Sequence, residues 1–143
     1  MTKAETKKRP KRWSRKRVGD VWLCDFRARV YVESDHGGGL VRTPTDATPY
    51  GEVVIGVDSA QWAGVVSTLI HELVEFALTF GRCSYQLVNE MKVDTQRRLI
   101  VCSHQKFDEA TSEAGDTLAA IEADVFEAWK EVRRWRNADR KAD

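Results

Sequence analysis

No stretch of this 143-residue chain strings together the roughly 20 uninterrupted apolar residues that span a bilayer. The longest apolar segment, about Ala60 to Phe80, is broken by Ser67, Thr68, His71, Glu72 and Glu75, so no membrane partner is expected. The N-terminus is charged but has no apolar region behind it, which excludes the pattern of a secretory signal. Cysteine is scarce: Cys24, Cys83 and Cys102 are odd in number and lack CxxC spacing, which argues against a disulfide framework and for reduced thiols in a cytosol. Histidine is as scarce, with only His36, His71 and His104, so any imidazole site has few residues to draw on. No internal repeat is present.

What the chain does have is 42% hydrophobic residues, five Trp and five Phe, enough for one core at single-domain length. Its net charge of +1 conceals an asymmetry. Residues 1–17 hold nine Lys/Arg against one Glu, and the remainder holds fourteen against twenty-one acids. This divides the chain into a basic tail, 1–17, expected to be disordered, and a single acidic domain, 18–143, whose last residues fray.

"VWLCDFRARVYVES" carries apolar side chains at Trp22, Cys24, Phe26, Ala28, Val30 and Val32, a period of two that predicts one half-buried strand. The Gly- and Pro-rich run Asp35 to Gly51 reads as a flexible turn, a long loop or a hairpin with loose ends. Glu52 to Val57 is a second, β-branched strand. Asp58 or Ser59 as N-cap and Gly81 at the C′ position then enclose a helix of about twenty residues. Tyr85 to Val93 is ambiguous, and Arg97 to Ser103 reads as a short strand or buried connector. A second long helix runs from about Gln105 or Thr111 to near Arg136, with Leu118, Ile121, Val125, Phe126, Trp129 and Val132 as its stripe. The fold class is α+β.

Chemistry concentrates in "LIHELVEF", Leu69 to Phe76. At 100° per residue His71 and Glu75 lie about 40° apart and one turn along, so both converge on a single ion. Glu72, about 100° round from His71, reaches a water on that ion without ligating it, as in HExxH helices, with Glu75 here replacing the second His. A catalytic zinc takes about three protein ligands and an open position, and His104 is the natural third. Two alternatives stand beside this. Gly64, Ser67, Thr68, His71, Glu72, Glu75 and Thr79 share one arc of about 140°, as a solvent face or a cleft lining would. His104 alone serves equally as a helix-start hydrogen bonder, with Asp108, Glu109 and Glu113 favoured by the dipole. Cys102 reads as a small hydrophobe or a thiolate ligand, His36 as a loop residue, and Tyr85 as a phenol that nothing places.

"IHELVEFALTFG" and "CSHQKFDEATSEAGDTL" resemble small zincin-like proteins common in phage and prophage genomes, over roughly residues 52–130. In that family a strand, an HExxH or HExxE helix and a third His opening the next helix form the site. The resemblance implies a zincin-like domain with a short sheet on a central HExxE helix. It implies a Zn2+ cofactor held by His71, Glu75 and His104, with Glu72 as general base of a metallopeptidase-like hydrolase. A peptide or protein substrate and the cytosol of a bacterial host follow from it, and the strand Glu52 to Val57 becomes the edge on which an extended peptide adds.

A reading from another class rests on the tail. Lys7, Lys8, Arg9, Lys11, Arg12, Arg15, Lys16 and Arg17, with Trp13 among them, suit non-specific nucleic-acid binding by a non-catalytic interaction protein, with a structural metal or none. The same cations equally suit a tail lying on the acidic body.

Overall fold

A computed structural model describes residues 12–80, 84–85, 99–100 and 102–141. It is an α+β protein with a four-stranded mixed sheet and two helices. β1 (Arg15–Leu23) and β2 (Phe26–Glu33) form an antiparallel hairpin. β3 (Gly37–Arg42) follows, the chain turns back through a Thr45/Thr48 bridge, and β4 (Gly51–Val57) inserts between β2 and β3. β4 runs parallel to β2 and antiparallel to β3, giving the order β1-β2-β4-β3.

The expected single strand from Trp22 to Val32 is thus two, and the period breaks at the turn. Cys24 and Asp25 take positive φ values of 49° and 64°, the two-residue turn that matches strand twist in a tight hairpin. Val21 and Leu23 face the core, while Trp22 lies 70% exposed on the opposite face. On β2 the expected alternation holds at Ala28, Val30 and Val32, all fully buried.

Two further expectations change. The Gly-rich run after Asp35 supplies a full strand, β3, because Gly37 to Arg42 find backbone partners along β4. β4 is then interior, and β3 is the edge. Residues 15–17, assigned to the disordered tail, open β1, because β2 offers a ladder and carboxylates supply counter-charge: Glu52 for Arg15, Glu131 for Lys16 and Asp20 for Arg17.

α1 (Trp62–Phe80) lies against β3 and β4, burying Val65, Leu69, Leu73, Phe76 and Ala77 at helical spacing. By length and composition alone α1 could cross a membrane; here it is the helix on which the core closes. Ser59 Oγ accepts the Gln61 N–H at 3.3 Å just ahead of it, and Gly81 lies outside the described residues. α2 (His104–Asp139) is one continuous helix capped by Ser103, whose hydroxyl accepts the Lys106 N–H at 3.2 Å. Its buried stripe is Ala110, Ala114, Thr117, Ile121, Val125, Ala128, Val132 and Trp135. Leu118 and Trp129 flank that stripe half-buried. Gly115 interrupts nothing.

α2 also fastens the start of α1. Arg133 and Arg136 reach Asp58 at 2.6 and 2.8 Å, and the Trp129 indole donates to Ser59 O at 2.9 Å. A two-stranded ladder, β5 (Ser84–Tyr85) with β6 (Leu99–Ile100), lies between the helices in sequence. β6 falls within the expected short strand, while the rest of Tyr85 to Val93 is outside the described residues.

Candidate metal centre

The helical geometry expected of "LIHELVEF" is present. His71 Nε2 lies 3.5 Å from Glu75 Oε2, one turn on, and an oxygen of Glu72 joins them with all three donor atoms within 4.8 Å of one another. Donors on a tetrahedral ion at about 2.0–2.2 Å stand about 3.3–3.6 Å apart, so the His71–Glu75 pair has the separation one zinc ion requires. This pair fits a metal on its donor chemistry.

The three side chains differ in environment. His71 is largely exposed, with 71% of its side chain open, and Glu75 is half-buried. Glu72 is 5% exposed. β3 covers it: a Cβ at Gly39 would overlap the Glu72 carboxylate, so the edge strand passes over this acid only because residue 39 has no side chain. Burial, then the Glu75 charge, pushes the Glu72 carboxyl above the ordinary carboxylate range, with His71 opposing. A carboxyl shifted in that direction holds a proton more readily than an ordinary carboxylate, as a proton-handling group must. The arc is therefore not a uniform wet face, since its central acid is enclosed.

His104 stands apart. It opens α2 with a 90% exposed side chain, its Nε2 3.3 Å from Asp108 of the same helix, and it is not a member of the His71 group. The third-ligand assignment drawn from sequence separation is not met in this arrangement. Ser103, rather than His104, satisfies the helix start. Cys102 is half-buried and likewise outside the group. The side chain of Tyr85 lies outside the described residues.

Glu33, Asp35 and His36 make a second cluster of donor atoms. There the His36 ring is engaged on both sides, by Gly37 O at 2.9 Å and Glu33 at 2.6 Å. Glu33 first, then that carbonyl, raises its pKa and favours the cation over a ligating imidazole.

Two open clefts of about 350 and 360 Å³ share Cys24, Asp25 and Glu113, where the β1–β2 turn meets α2. Neither is lined by His71, Glu72 or Glu75. The Cys24 thiol, pushed up to about 12 by burial and then by Glu113, is no nucleophile.

Of the candidate nucleic-acid residues, Lys7, Lys8, Arg9 and Lys11 lie outside the described residues. Arg12 pairs with Asp139 at 2.6 Å, and the Trp13 indole donates to Glu131 at 2.9 Å while meeting Trp135 edge-on at 5.2 Å. From residue 12 onward the basic segment lies on the acidic body.

No protein-family model, no curated protein and no solved structure matches this chain.

Proposed function

We propose that the protein is a zincin-like, zinc-dependent hydrolase of the metallopeptidase class, with His71 and Glu75 as ligands and Glu72 as the proton-handling residue. The observation that carries it is the enclosed Glu72 beside a His71–Glu75 pair at 3.5 Å. Zinc there would supply a bound water acidic enough to lose its proton near pH 7 and a positive charge facing a carbonyl oxygen.

This chain's own residues do the rest. Glu72 accepts a proton at a carboxylate oxygen and returns it to the leaving group, and burial holds its affinity for that proton high. β3 shields this acid and is one of the two edge strands among the described residues, so an extended peptide adding to β3 would run past Glu72. Two ligands hold zinc less firmly than the usual three, so the ion is expected to leave on mild chelation with the fold intact.

Metal analysis of the purified chain and peptide hydrolysis test the reading together. Zinc should bind at about one per chain, be lost in His71→Ala and Glu75→Ala, and persist in His104→Ala and Glu72→Gln. Glu72→Gln should abolish hydrolysis. Absence of zinc from protein prepared without chelators sinks the proposal, and an unchanged rate in Glu72→Gln removes Glu72 from its role.

A further inference from the structure

Both helices pack on one face of the sheet, and among the described residues no element covers the other. That open face is unusual in its content. The registers place Trp22 opposite Arg27, Asp20 opposite Arg29, Arg17 opposite Tyr31 and Arg15 opposite Glu33. They continue with Arg29 opposite Glu52, and Glu52 opposite Arg42 at the far edge. All five cations are arginines, and only three carboxylates stand among them.

Those carboxylates are shared. Asp20 is bound by both Arg17 and Arg27, and Glu52 by Arg15 at 3.1 Å and Arg42 at 3.2 Å. A guanidinium carries five N–H donors, so each shared acid leaves donors over on both partners, and the face keeps excess positive charge. Two guanidinium groups lie on rings: Arg15 over Tyr31 at 4.0 Å and Arg29 over Tyr50 at 3.5 Å. Trp22 is 70% exposed, the most exposed large hydrophobic side chain among the described residues. The row thus alternates flat π surfaces with spare N–H donors across a shallow sheet.

The geometry points to this open face as a binding platform for single-stranded nucleic acid. Phosphates take the spare arginine donors, and unpaired bases stack on Trp22 and on the ring-backed guanidinium planes. A single strand presents its unpaired base faces to such a surface, whereas a duplex keeps them stacked inside. Residues 1–11, which precede β1 in sequence, hold five Lys/Arg against one Glu. The platform is separate from the His71 site and does not depend on metal.

Fluorescence anisotropy of a labelled oligothymidylate of about 16 nucleotides against the full-length chain at low salt tests it. The expected result is binding that weakens steeply with salt, a loss of about tenfold in Trp22→Ala and again in Arg27→Gln, and wild-type affinity in His71→Ala. A duplex of the same length should bind at least about tenfold more weakly. Thermal melts check that both platform variants fold, and Arg27→Gln decides if Trp22→Ala does not. No binding, wild-type affinity in both platform variants, or equal affinity for the duplex each overturns the proposal; the second outcome would assign binding to residues 1–11 instead.

Discussion

The two faces of the four-stranded sheet share a backbone and differ in every other respect. The inner face presents Val21, Leu23, Ala28, Val30, Val32, Val53, Ile55 and Val57, none more than 6% exposed. The outer face presents mainly arginine, carboxylate and aromatic side chains in cross-strand pairs, with Val54 and Leu40 paired among them. Period-two geometry separates the two sets, so one side closes the fold while the other is free to vary in chemistry without breaking it. The candidate metal centre lies at the boundary, where β3 passes over a helix that otherwise belongs to the core.

The strongest way to sharpen this contrast is to cut the inner side. Phe76 is fully buried and stacks on Phe80 at 4.2 Å, in space left by Gly51, where a Cβ would overlap its ring. Phe76→Ala should cost about 3–5 kcal/mol in urea unfolding, a large share of a typical domain's stability. A loss under about 1 kcal/mol would mean that the inner face is not the packed core described here.

The boundary should respond less, and in a coupled way. Gly39→Ala forces a methyl into the Glu72 carboxylate, so a loss of about 1–3 kcal/mol is expected. Shortening the acid removes the overlap, so Gly39→Ala should cost far less in a Glu72→Ala background. A double-mutant cycle with no coupling would separate β3 from Glu72.

The outer face should yield the smallest effect, visible in acid. Hydrogen bonds from Arg17 and then Arg27 hold the Asp20 carboxyl below the ordinary value of about 3.9. A lowered folded-state pKa gives a stabilisation that is fully present above about pH 4 and lost as pH falls through the folded value. Asp20→Asn should therefore flatten the acid limb of the stability profile by slightly lowering stability at neutral pH while leaving stability at the acid end nearly unchanged. An identical acid limb would mean that Asp20 is unpaired in solution.

Legibility in the sequence followed the range of the interaction. α1, β4 and the course of α2 were readable because periodicity is local, and so was the approach of His71 to Glu75 across one turn. The β1–β2 hairpin was not, because Cys24–Asp25 is not the Asn-Gly or Asp-Gly pair that announces such a turn, and Trp22, Cys24 and Phe26 continue the strand period through it. β3 was hidden in glycines whose pairing is supplied by β4, and its position made β4 interior. The enclosure of Glu72 depends on that crossing, so no count along α1 could reveal it. His104 shows the converse limit, since a separation of 33 residues permits an encounter but does not bring it about.

The lead-in to β1 is fastened to the far end of α2. Trp13 bonds Glu131, 118 positions later, and Arg12 bonds Asp139, 127 positions later. While the chain is being made, the partners of its first strand's approach emerge more than 100 residues after it. Closure of the sheet against the helix is thereby postponed until the end of α2 has been made, and contacts of such long sequence separation slow the closing step itself. Until then the apolar side of β1, with Val21 and Leu23, lacks its α2 cover.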